Sequence, residues 1–266
     1  MKYLILFIII GVIPVTSLAY NVYKTDDGTP IRWYKDTVSM VGDINGTADI
    51  PDKGEWQAVK AAMDAWNRET CKQPQLVFSG LKDDVRSGYW SDEDNYNLIK
   101  WVNDKKEWTD KYTGGEDVIA FTTVMFDLNS GEIYDTDMEL NDWAFDFTIK
   151  RSMSKYDVQN TVTHELGHVL GMDHSKDPTA TMYYSANKGD TNKRSLAEDD
   201  INGLCYLYGS DWIRKDVTDG ETSSSELSKH SSGGCTYHSG TESPFGNLIL
   251  LFGMFFFLKL RSRKGR

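Results

Sequence analysis

Helical periodicity stands out in three places along the chain. After Asp52, the residues Trp56, Val59, Met63 and Trp66 recur at spacings of three and four and so share one side of a helix. Asp52 and Glu55, three positions apart, suit a reciprocal cap at its start. A second helix is predicted over 155–170 behind Ser154, with Val158, Val162, Leu166 and Val169 facing a core. A third opens at Ser195, where Ser195-Leu196-Ala197-Glu198 reads as a capping box. It carries Ile201, Leu204, Cys205 and Tyr208 on one face and stops at Gly209. Short β-branched and aromatic runs predict strands over 31–34, 75–79, 98–102, 118–126 and 132–140, the last two joined by the turn-prone Asp127-Leu128-Asn129-Ser130-Gly131. Helices and strands interleaved in this way predict a sheet with helices packed on it, a mixed α/β or α+β domain.

The pattern holds from about residue 20 to 210 and then fades. Residues 211–243 are rich in Ser, Gly, Thr and Asp, with Ser223-Ser224-Ser225 and Ser231-Ser232-Gly233-Gly234, and read as a flexible linker. At the other end, Lys2 precedes an apolar run over 3–15 and the small-residue exit Ser17-Leu18-Ala19. That is the layout of a secretory signal peptide, residues 1–19, removed after Ala19. A membrane anchor is the alternative, and the run is short for one.

Export changes the meaning of the three cysteines, because disulfides persist outside the reducing cytoplasm. Cys71 and Cys205 belong to the folded part and are expected to pair; two buried thiols are the alternative. Cys235 lies in the linker and is the odd one out. The net charge is −11, and loss of Lys2 with the leader makes the remainder one unit more negative, which argues against a nucleic-acid partner. Acidic clusters at Asp83-Asp84, Asp92-Glu93-Asp94 and across 135–142 could bind calcium, although most such runs are solvated surface.

Candidate chemistry is concentrated in His164-Glu165-Leu166-Gly167-His168-Val169-Leu170-Gly171-Met172-Asp173-His174, the pattern H-E-x-x-H-x-x-G-x-x-H. Residues four apart share a helix face, so His164 and His168 can reach one ion together. Glu165 lies beside them, where it could act on water activated by the metal. Gly171 can end the helix in a left-handed conformation, and the returning chain then delivers His174 as a third ligand. Three imidazoles and an open position make a catalytic rather than a structural zinc site. The five fixed positions would arise in a random chain of this length on the order of once in 100,000 trials, so a polar helix with satisfied histidines is a weak competitor. His230 and His238, the other two histidines, fall in the linker.

With these residues the chain resembles the metzincins, and within them the matrixins, the branch of matrix metalloproteases and their bacterial relatives. Thr179-Ala180-Thr181-Met182-Tyr183 is similar to the family's methionine turn, and Ser175 is the matrixin residue after the third histidine. Leu196-Ala197-Glu198-Asp199-Asp200-Ile201-Asn202-Gly203 with Leu207-Tyr208-Gly209 resembles the closing helix, and Ala61-Ala62-Met63-Asp64-Ala65-Trp66 the opening one, so that the likeness spans about 28–209. The resemblance implies a zincin-like catalytic domain with a twisted, mostly parallel sheet, one antiparallel edge strand and three helices. It implies Met182 as the floor under the metal, and the strand carrying Val118, Ala120 and Thr122 as the edge that pairs with an extended polypeptide substrate. The loop over 184–194 would wall the pocket after the scissile bond, or be an ordinary connection. Asp135 and Asp137 fall where a calcium-binding segment of the family would lie. The family's cysteine-switch motif is missing around Cys71. With no histidines outside the motif in the domain, a single zinc is expected.

The terminal stretch, 244–266, has a polar lead-in to Pro244, an apolar run over 248–258 and a basic end with Lys259, Arg261, Arg263, Lys264 and Arg266. With Gly233-Gly234-Cys235 upstream it resembles bacterial three-part C-terminal sorting signals, with Cys235 as the processing or lipid-attachment point; a short membrane anchor is the alternative, and both imply attachment to the cell envelope. The expectation is therefore an exported, monomeric zinc endopeptidase of bacterial type at the cell surface. The competing readings are a surface-displayed, metal-stabilised binding module without catalysis, and a zinc hydrolase acting on a non-peptide bond.

Overall fold

The computed structural model describes residues 19–89, 95–209, 227–233 and 236–237. Most of the leader, the acidic cluster at 92–94, Cys235 and the 244–266 segment lie outside these described residues. Among the described residues, no helix is long and apolar enough to cross a membrane.

In chain order the elements are β1 (Asn21–Val22), β2 (Thr37–Asp43), α1 (Glu55–Asn67), β3 (Gln75–Lys82), β4 (Asn97–Val102), α2 (Lys105–Lys111), β5 (Ala120–Asp127) and β6 (Ile133–Asn141). They continue with β7 (Phe147–Thr148), β8 (Tyr156–Asp157), α3 (Val158–Val169), β9 (Met172–Asp173), β10 (Ser185–Ala186), α4 (Glu198–Tyr208), β11 (Leu227–Gly233) and β12 (Thr236–Tyr237). The main sheet has the order β11-β5-β6-β4-β2-β3. β3, β2, β4 and β6 run parallel, β5 is antiparallel to β6, and β11 is antiparallel to β5. The fold is thus a mixed α/β domain whose mostly parallel sheet ends in an antiparallel region.

One face of the sheet carries α1 and α3. The stripe Trp56, Val59, Met63 and Trp66 is buried against Val158, Val162, Leu166 and Val169 of α3 and against strand residues such as Met40, Ile99 and Met138. Each such side chain contributes roughly 1.5–3 kcal/mol by leaving water, so this layer fixes the position of α3. The opposite face has a smaller core of Val102, Trp108 and Tyr112 under α2.

Several expected boundaries differ. The strand expected over 31–34 makes only the isolated bridge Arg32↔Glu132, and the first long strand of the sheet is instead β2, which lies between β4 and the edge strand β3, with Val38 and Met40 buried and Thr37 and Ser39 exposed. α1 starts at Glu55 with Gly54 as its cap and no side-chain cap, so Asp52 does not serve that role. Asp157 rather than Ser154 caps α3, accepting from the Asn160 N–H at 2.8 Å. The box expected at Ser195 does not form. α4 begins after Ala197, whose N–H is bound by Asp200 at 2.8 Å; the helix buries Leu204, Leu207 and Tyr208 and leaves Cys205 exposed. A fourth helix, α2, escapes the periodicity because Trp108 is its single buried residue. The stretch expected to be linker is strand at β11 and β12, since pairing to a sheet edge uses backbone groups and leaves no apolar pattern in the sequence. Cys71 and Cys205 are bonded, with Cα atoms 4.6 Å apart, and tie the end of α1 to α4.

Candidate metal centre

α3 carries His164, Glu165 and His168, and aromatic side chains hold its backbone in place. The Trp66 indole donates to the Thr163 carbonyl at 2.8 Å, the Trp33 indole to Val169 at 2.7 Å and the Tyr208 hydroxyl to Leu170 at 2.8 Å. The last two satisfy carbonyls at the helix end that have no partner within the helix. Gly171 follows with φ +94°, and a Cβ there would stand 2.2 Å from the Ile31 carbonyl oxygen, so the turn requires glycine on both counts. β9 then pairs antiparallel with β1, and His174 is delivered with its carbonyl accepting from the Asn21 amide at 2.9 Å.

The three rings converge. Their centroids are 4.9 Å apart for His164 and His168, 5.2 Å for His164 and His174, and 4.8 Å for His168 and His174. Among the described residues they are the one group of three or more His, Cys, Asp or Glu with ligand atoms clustered, all within 4.8 Å of one another. His164 Nδ1 lies 2.7 Å from the Thr181 carbonyl, and His168 Nδ1 lies 2.9 Å from the Met172 carbonyl and 2.8 Å from the Tyr23 hydroxyl. A carbonyl only accepts, so each Nδ1 carries the proton and Nε2 presents its lone pair to the shared space.

Burial, and then the positive Lys193 nearby, hold His164 well below its ordinary 6.5 and push His174 down to about 4. Both are neutral at pH 7, the form that binds metal. The Nε2 atoms of His164 and His174 stand 3.3 Å apart, the separation of roughly 3.3 Å expected for two nitrogens on one tetrahedral zinc at about 2.0–2.1 Å each. The donor set fits a zinc ion.

Glu165 is fully buried beside these rings, and the Thr122 hydroxyl of β5 donates to its Oε2 at 2.8 Å. The hydroxyl of Thr122, a residue expected on the substrate edge, orients the carboxylate. Ala120 shares β5, and Val118 lies just before it with its carbonyl accepting from Asn141 at 3.0 Å. Met182 is buried against α3 so closely that a Cβ on Gly167 would lie 2.2 Å from its sulfur. Asp200 anchors this turn by accepting the N–H groups of Thr181 at 2.7 Å and Met182 at 2.9 Å. Lys193 is buried, donating to the Tyr183 carbonyl. Asp200 and Lys193 were not singled out from sequence. Asp199-Asp200 is visible there as an acidic pair, but which of the two turns inward depends on the tertiary packing.

Asp135 and Asp137 alternate along β6 with Glu139 on the face away from Met138 and Leu140. Asp137 accepts from the backbone of Gly88 and Leu98. Burial and then the charge of Asp137 push Asp135 up to about 8, and burial pushes Asp137 up to about 6. Neither joins a cluster of three ligand groups among the described residues.

Comparison with known proteins gives the same picture of residues 32–209, which match a family model described as Matrixin. The chain is 55% identical over 47 residues to human matrilysin, covering 18% of each chain. It is 33% identical over 117 residues to metalloendoproteinase 1-MMP of Arabidopsis thaliana, covering 44% of this chain and 31% of that protein. It is 25% identical over 166 residues to matrix metalloproteinase-18 of Xenopus laevis, covering 62% of this chain and 31% of that one. The matched segments thus span about a third or less of these relatives. The family match nonetheless reaches from Arg32 to Gly209 and takes in α1, the sheet from β2 to β6, the three histidines, the methionine turn and α4; the chain belongs to the matrixin family.

Proposed function

We propose that this chain is an exported zinc-dependent endopeptidase that cleaves extended polypeptides, with Glu165 as general base. The observation that carries this reading is the Glu165 carboxylate, buried and hydrogen-bonded by Thr122 beside three convergent imidazoles. When bound, zinc would supply a Lewis acid that polarises the scissile carbonyl and makes water acidic enough to attack near neutral pH. His164, His168 and His174 would hold it, the first two rings oriented by the carbonyls of Thr181 and Met172. Glu165 takes the proton of the attacking water and returns it to the departing amine. Thr122 keeps the carboxylate turned to that task. A binding module without catalysis would need the imidazoles but gives no role to a carboxylate buried and aimed in this way.

Export rests on the leader at 1–19, and envelope attachment on the segment at 244–266. Calcium as a second cation rests on the acidic clusters alone.

The reading is tested by incubating the purified chain with an unstructured protein, with a zinc chelator, and with chelator followed by excess zinc. New internal amino termini are then identified by mass spectrometry. The expected result is internal cleavage that disappears with chelator and returns with zinc. Chelator-insensitive cleavage, or trimming from the ends only, would refute an endopeptidase.

A further inference from the structure

The antiparallel end of the sheet is not left open to a substrate: seven residues of the chain's own C-terminal region lie along it. β11 pairs with β5 in continuous register from Leu227↔Asp127 to Gly233↔Phe121. Near the end of that ladder Ser232 stands opposite Thr122, the residue whose hydroxyl holds Glu165. The segment is then taken up by β12, which pairs in parallel with β10 at Ser185↔Thr236 and Ala186↔Tyr237. β10 directly follows Tyr184, whose ring centroid is 6.4 Å from that of His174. One strand of the tail is therefore tied to the Glu165 side of the metal centre and the next to its His174 side. Only three Cα steps, at most about 11 Å, separate Gly233 from Thr236.

We propose that β11 and β12, residues 227–233 and 236–237, are a cis-acting occupant of the substrate cleft, competing with polypeptide substrates for the edge of β5 and for β10. The proposal rests on the peptidase reading above. An extended polypeptide gains its main-chain hydrogen bonds by adding a strand to such an edge, and two strands cannot add to the same one. The sequence of the occupant, Leu227-Ser228-Lys229-His230-Ser231-Ser232-Gly233, is dominated by small polar residues and supplies little apolar anchoring. Its intrinsic affinity is weak, and tethering makes it effective: a short flexible connection gives a local concentration on the order of millimolar. Such an occupant yields to a well-anchored protein substrate or to removal of the tail, and otherwise keeps activity low.

The test uses the full chain with Ser231→Pro and Ser232→Pro together. Neighbouring residues of an antiparallel strand alternate in the direction of their N–H groups, so this pair removes at least one ladder donor whichever of them faces β5. On a short peptide substrate the apparent KM should fall about tenfold with kcat unchanged, the ratio of a millimolar tether to an intrinsic affinity of about a tenth of that. In a Glu165→Ala background, hydrogen exchange of the β5 amides should be at least about tenfold faster in the double-proline protein than in its parent. Unchanged KM together with unchanged exchange overturns the proposal. Prompt cleavage of the chain between Gly233 and Thr236 also overturns it, because the segment would then be a substrate rather than a standing competitor. No cleavage of any peptide by either zinc-loaded protein, with the exchange difference present, counts against the peptidase reading and leaves the occupancy standing.

Discussion

Glu165→Gln is expected to lower kcat for peptide cleavage by about 10²–10⁴-fold, the range over which positioned general bases act, while leaving bound metal and the folded state unchanged. The amide is nearly the same size as the carboxylate and can still accept the Thr122 hydroxyl, which stands 2.8 Å from Oε2 in the native chain, so the packing beside α3 should survive. What is lost is the ability to take a proton at neutral pH. Metal content, measured by atomic emission, and unfolding temperature should match the parent. A variant with activity within about tenfold of the parent would remove Glu165 from the chemistry, since that is less than a working base contributes.

His168→Ala is expected to abolish both cleavage and the stabilisation that zinc confers. His168 is fully buried and its Nδ1 is fixed by Met172 and Tyr23, so no neighbouring side chain can substitute for it. Loss of a ligand should weaken zinc binding by more than the 10–100-fold typical of outer-shell partners. In the parent, free zinc at a hundred times its dissociation constant should stabilise the fold by about 2.7 kcal/mol, visible as a rise in unfolding temperature. The variant should show no rise at the same zinc concentration. A parent that gains no stability from zinc, or a variant that gains as much as its parent, would separate the histidine cluster from metal binding.

These two expectations draw on residues that were legible in the sequence, and the reason is local. His164, Glu165 and His168 lie within two helical turns, where spacing alone decides which side chains share a face. Gly171 marks the turn that brings back His174. The same logic located α1 and α3, whose apolar stripes are regular. The supporting residues were hidden because their roles depend on contacts distant along the chain. Thr122 reaches Glu165 across 43 positions, and Asp200 reaches Thr181 and Met182 from the first turn of α4. Lys193 is a lysine in a loop until the fold buries it. α2 and β2 were missed for a different reason, since one has a single buried residue and the other breaks its alternation after Met40 and carries Gly42. The tail is the extreme case. β11 is held by backbone pairing, which no side-chain pattern announces, and its Ser/Gly composition pointed to a linker.

The central claim is that three imidazoles of this chain converge on one cation. Anomalous diffraction at the zinc absorption edge, from crystals of the zinc-loaded chain, tests it most directly. One strong peak is predicted within about 2.0–2.1 Å of a nitrogen of each of His164, His168 and His174. A peak bonded to fewer than three of these rings, or zinc found only elsewhere on the chain, would contradict the account.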